Sequence, residues 1–125
     1  MQLKTILGFP NFYNIVKDQK MPIKTAYKLS RLAKSIETEI QFYQEKLREI
    51  IQKHAILDEN GQPVFTEGKE AVKLLEGHET ECYTEMQELQ DLDVEIPDIT
   101  FTLDEFANVE LTLDEMNNFM PFIQD

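Results

Sequence analysis

The chain has 125 residues, of which 42% are hydrophobic and 29% charged, so one domain with a real core is affordable despite a net charge of −12. A single cysteine, Cys82, excludes an internal disulfide and fits a reducing compartment. Met1 to Pro10 lacks the apolar core and cleavage pattern of a signal peptide, and no run approaches the roughly 18 apolar residues of a membrane helix, so a soluble cytoplasmic chain with no membrane partner is expected.

The charge is divided along the chain. Residues 1–34 carry seven Lys or Arg and one acid, a net of +6. Residues 35–75 carry five bases and eight acids, a net of −3. Residues 76–125 carry fifteen acids and no base. High charge with few apolar residues would favour disorder. Here strong periodicity and eight Phe argue for a folded chain.

In chain order, weak alternation of Leu3, Thr5 and Leu7 predicts a short strand within residues 1–9. Pro10 suits a first helical turn, and Asn11 to Lys17 reads as a short helix with Phe12, Ile15 and Val16 on its apolar side. Pro22 then opens a long helix running from Lys24 to Ala55, with no Gly or Pro inside it. One seam of its heptad is Leu29, Ile36, Tyr43 and Ile50; the other is Ala26, Ala33, Ile40, Leu47 and His54. At about 1.5 Å per residue it is roughly 48 Å long. Its first turns hold Lys24, Lys28, Arg31 and Lys34, which oppose the helix macrodipole and require acids nearby.

Asn60-Gly61, flanked by Ile56-Leu57 and Val64-Phe65, predicts a tight turn in a short β-hairpin, with Pro63 restricting its strand to an edge. Thr66 is positioned to cap a second helix reaching about Leu92, although Gly68 and Gly77 each weaken it by roughly 1 kcal/mol relative to Ala. An antiparallel hairpin of two matched helices over 23–92 follows, placing Glu79, Glu81, Glu85, Glu88 and Asp91 beside the basic start of the first helix. The tail from residue 93 repeats at a period of ten: Phe101-Thr102-Leu103-Asp104-Glu105-Phe106 is echoed by Leu111-Thr112-Leu113-Asp114-Glu115-Met116. Each copy holds Thr-x-x-Glu, a capping box, so two short capped helices should wrap the hairpin. The expected fold is therefore mainly α with minor β, in a single domain 1–125.

No motif carries chemistry outright. There is no Gly-rich phosphate loop and no nucleophile elbow. His78 and Cys82 are four apart and share a helix face, but a structural zinc site needs about four ligands, and the helix pairing puts His54 near the far end. Cys82 has Glu79, Glu81 and Glu85 as neighbours, which disfavour a thiolate nucleophile. No enzyme activity, cofactor or metal is expected. The basic stretch from Lys17 to Lys34 contains Tyr27 but no platform of interleaved aromatics, and the negative whole repels a phosphate backbone, so direct nucleic-acid binding is not expected. The residues assigned to a protein partner are Glu85, Glu88 and Asp91 on the acidic face, and Phe119 and Phe122 in the apolar terminus, which docks either on its own chain or on another subunit.

Met21-Pro22-Ile23-Lys24-Thr25-Ala26-Tyr27-Lys28-Leu29 leading into a long charged helix, then Asp58-Glu59-Asn60-Gly61, then an acidic helix and a tail ending in Pro121-Phe122-Ile123, resembles a group of small uncharacterised proteins of tailed bacteriophages and prophages. The resemblance spans most of the chain. It implies a phage or prophage origin, and so a place in the bacterial host cytoplasm, free or associated with virions. It supplies no catalytic residue. The expected function is a non-enzymatic interaction protein, a scaffold or assembly component that binds itself or another phage subunit. The alternative is an acidic mimic of nucleic acid that inhibits a basic host defence enzyme.

Overall fold

The computed structural model describes residues 1–69 and 71–124. The chain is mainly helical and divides into two compact units, residues 1–40 with 93–125, and residues 41–92. Helices α1 (Leu3–Ile6), α2 (Phe9–Val16), α3 (Ile23–His54), α4 (Glu79–Gln90) and α5 (Leu113–Asn117) follow in order, with a 3-10 turn at Leu103–Phe106 and another at Met120–Phe122. No helix among the described residues is long and apolar enough to cross a membrane. The long helix is present as a single 32-residue element, contributing residues 23–40 to one unit and 41–54 to the other.

The first unit is built on phenylalanine. Where the alternation of residues 1–9 predicts a strand, the chain forms α1 instead. Leu3 and Ile6 are spaced for one helix face, and both are fully buried. The β character there is limited to a bridge between Gln2 and Asp93. Phe9 and Phe12 from α2 enter a cluster with Phe101, Phe106, Phe119 and Phe122. Phe119 is the hub. Its ring stacks on Phe12 at 3.9 Å between centroids, meets Phe106 edge-on at 5.3 Å, and lies 5.2–6.1 Å from Phe101, Phe122 and Phe9. Gly8 stands against Asn118, and a Cβ there would collide with the Asn118 side-chain amide, so the absence of a side chain sets how closely α2 meets the tail.

The buried stripe of α3 in this unit is Thr25, Leu29, Leu32 and Ile36. The seam through Leu29 and Ile36 is as expected. The second seam lies one residue earlier than Ala26 and Ala33: Ala26 is exposed, while Thr25 and Leu32 are buried. Leu32 fills more of the Phe-lined interior than Ala33 can, and Thr25 reaches a polar partner in the tail.

Both capping boxes form. Thr102 N–H donates to Glu105 Oε2 at 2.8 Å, and Thr112 N–H donates to Glu115 Oε1 at 2.7 Å. The first begins a 3-10 turn, the second the short helix α5. Glu105 also answers one of the cations at the start of α3, Lys28. Its carboxylate accepts from Lys28 Nζ at 3.1 Å and from the buried Thr25 hydroxyl at 3.1 Å, and Lys28 lies 4.5 Å over the Phe101 ring. The acidic partner of Lys28 is therefore a tail residue, Glu105. Burial pushes the Glu105 carboxyl up, but the Thr102 N–H, the Lys28 ammonium and the Thr25 hydroxyl outweigh it and hold it below its ordinary value of 4.5.

In the second unit the predicted 66–92 helix shrinks to α4, twelve residues long. Gly68 and Gly77 take φ of 83° and 81°, a left-handed conformation that a continuing helix cannot contain. Glu70 lies outside the described residues. The segments between α3 and α4 are joined by isolated antiparallel bridges, Ala55 to Leu74, Leu57 to Pro63, and Phe65 to Val72. Three backbone bonds close a ring: Ile56 N–H to Lys73 O, Lys73 N–H to Val64 O, and Val64 N–H to Ile56 O, at 2.7–2.9 Å. The turn at Asn60-Gly61 is stapled by Asp58, whose carboxylate accepts the N–H groups of Asn60 and Gln62.

Truncating Phe119 to Ala removes the shared neighbour of five rings. It is expected to destabilise the first unit by about 3–5 kcal/mol, the range for deleting a large buried aromatic, read as a lower denaturant midpoint in urea unfolding followed by circular dichroism.

Candidate interaction surface and histidine pair

The bridged segments return the chain so that α4 begins beside the end of α3. This brings together side chains that a continuous second helix would have held apart. His54, fully buried, has one nitrogen on each of two partners: Nδ1 is 3.0 Å from His78 Nδ1, and Nε2 is 2.8 Å from Glu85 Oε2. In the neutral pair only one assignment satisfies both contacts. His54 Nε2–H donates to Glu85, leaving Nδ1 to accept from His78 Nδ1–H. Lys53 adds its ammonium to the same carboxylate at 2.6 Å and reaches Glu81 at 3.6 Å. Hydrogen bonds from Lys53, then from His54, hold the Glu85 carboxyl below its ordinary value of 4.5.

One imidazole nitrogen of His54 and carboxylate oxygens of Glu81 and Glu85 lie within 4.8 Å of one another, a donor set of the type that binds divalent metals. The Lys53 ammonium already supplies the positive charge those carboxylates face. Cys82 does not join them. It is buried with its sulfur 4.0 Å from Met86 Sδ, and burial, then the charge of Glu85, pushes its thiol above the ordinary value. A raised thiol is a poor nucleophile at neutral pH.

Beyond this knot the two helices leave an open groove of about 330 Å³. Phe42, Lys46, Glu49 and Ile50 of α3 form one wall; Glu85, Glu88, Leu89 and Leu92 of α4 form the other. The spacings, four and three or four residues on each helix, place these side chains on facing stripes. Leu89 is buried at the base, whereas Phe42 and Leu92 are 39% and 45% exposed. Lys46 pairs with Glu49 at 3.2 Å, and Glu88 has no ion pair among the described residues.

Of the residues expected to meet a partner, Glu85 and Glu88 line this groove, and Asp91 is exposed at the end of α4. Phe119 and Phe122 pack inside their own chain. They are 0% and 2% exposed in the phenylalanine cluster, so the apolar terminus docks on its own chain. The His54–His78 contact was missed because the sequence reading carried the second helix through residues 66–78; the two glycines were the signal against it.

In comparisons with family models, curated proteins and solved structures, nothing matches the chain.

The depressed Glu85 carboxyl has a sign. Its contribution to stability is complete above the ordinary value of 4.5 and is lost as the pH falls through the lower folded value. Melting temperatures across an acid series should therefore fall below that point, and Glu85→Gln should flatten the fall. An equally steep fall in the variant would assign it to other carboxylates, Glu105 first.

Proposed function

We propose that the chain is a non-enzymatic protein–protein interaction protein of the phage type, a scaffold or assembly component. In this reading α3 and α4 act as a helical hairpin whose incompletely covered seam receives another subunit. The observation that carries it is the burial pattern of α3. From Glu37 to Lys53 no side chain is buried, although this stretch contains Ile40, Phe42, Tyr43, Leu47, Ile50 and Ile51. An apolar stripe over four turns normally closes against a core. Here α4 offers only twelve residues to cover it, with the groove left between them.

The acidic-mimic reading has its own support. Glu76, Glu79, Glu88, Asp93, Glu95 and Asp98 are exposed and carry no ion pair among the described residues. Such a surface suits a basic groove on a host nucleic-acid-binding enzyme.

Affinity purification from infected cells, repeated on purified virions with mass spectrometry, separates the two. A scaffold is expected to co-purify with virion or assembly-intermediate proteins at ordinary salt. Absence from both would remove the assembly reading. Capture of a basic host protein, lost steeply as salt rises, would favour the mimic.

A further inference from the structure

The basic start of α3 and the groove at its other end are complementary surfaces on one chain. At the start, Ile23 and Tyr27 are 88% and 63% exposed, four residues apart on one face. Lys24, Arg31 and Lys34 surround them, exposed and without an ion pair among the described residues; Glu105 is already taken by Lys28. Arg31 instead lies 5.9 Å from the Tyr27 ring, so the aromatic and the cations form one patch. Lys24 lies in the first turn of α3, where the macrodipole disfavours a cation, and Arg31 and Lys34 carry the positive charge along the helix, so acids brought to this stretch are favoured.

The groove has the opposite character. Its apolar lining is Phe42, Ile50, Leu89 and Leu92; of its charged lining Lys46 pairs with Glu49 and Glu85 with Lys53, which leaves Glu88 as the acid without an ion pair among the described residues. Residues 41–92 hold five bases and twelve acids, a net of −7. The facing stripes extend over eight or nine residues, about 12 Å at 1.5 Å per residue. That length accepts a helix with apolar side chains at i and i+4, the spacing of Ile23 and Tyr27.

We propose that the groove binds the Ile23–Lys34 face of α3 from a second copy of the chain. Residues 23–34 cannot reach residues 42–50 of the same copy, because both lie on one uninterrupted helix. The contact joins unlike surfaces, so each copy keeps one free face and one free groove, and copies add in a row or close into a ring. This rests on the interaction-protein reading and names its partner.

The test uses the full chain and two surface variants. Glu88→Lys with Leu92→Lys spoils the groove and leaves the basic face; Lys24→Glu with Tyr27→Glu spoils the face and leaves the groove. All substituted side chains are exposed, and circular dichroism checks each fold. In sedimentation velocity the unaltered chain should self-associate with rising concentration and dissociate as salt rises. Each variant alone should stay monomeric. Their mixture should form a one-to-one dimer and nothing larger, because only one productive face meets one productive groove. A monomeric unaltered chain, a variant that associates like the unaltered chain, or a mixture that stays monomeric would each overturn the proposal. A chain that is monomeric yet co-purifies with virion proteins would overturn it while leaving the interaction-protein reading in place.

Discussion

The first unit depends on one ring. Phe119 is fully buried and touches aromatic side chains from α2, from both ends of the first tail repeat and from the last 3-10 turn. Aromatic pairs in stacked and edge-on geometries add about 0.5–1.5 kcal/mol each beyond the area they bury. Because the partners come from segments far apart in sequence, the ring fixes where the chain's two ends meet. The bonds from Phe101 N–H to Phe122 O and from Gln124 N–H to Phe101 O then tie the tail to itself at the same place.

Two local knots pair part of the charge that is divided along the chain. Glu105 accepts from a lysine, a threonine and its own capping-box N–H. Glu85 accepts from a lysine and a histidine. In both, a carboxylate held below its ordinary value stands on another element and accepts from side chains of α3, so each knot fixes a position as well as neutralising a charge. Neither knot answers the remaining charge. Most acids of the second half stay in solvent, and Lys24, Arg31 and Lys34 at the start of α3 have no ion pair among the described residues.

Signals confined to one turn were legible in the sequence. The uninterrupted heptad located α3, Pro22 marked its beginning, and the two Thr-x-x-Glu boxes marked both short tail elements. The errors arose where a local signal had a tertiary competitor. Leu3 and Ile6 obeyed the phenylalanine core rather than the alternation of residues 1–9. Residues 66–78 had apolar side chains at spacings a helix accepts, but two glycines and the partners at Ile56 and Val64 favoured bridges. That error hid the histidine pair, since His54 and His78 meet only if the helix between them is absent. Of the groove's lining, Ile50 lies in a predicted seam of α3, whereas Phe42 lies outside both seams and is not legible from the heptad.

The same competition leaves the apolar stripe of α3 less covered in the second unit than in the first. In the first, six phenylalanines share one interior, and α3 buries four successive stripe residues there. Beyond Ile36 the helix keeps its apolar periodicity while its burial ends, until His54. A helix needing only to be stable would have lost Phe42 and Ile50 to polar residues along this stretch, since neither is buried and each is costly to leave in water, at about 25 cal/mol per Å² of exposed apolar surface. Ile40, Tyr43, Leu47, Ile50 and Ile51 are half-buried and Phe42 is exposed, and in the proposed reading another chain completes this cover.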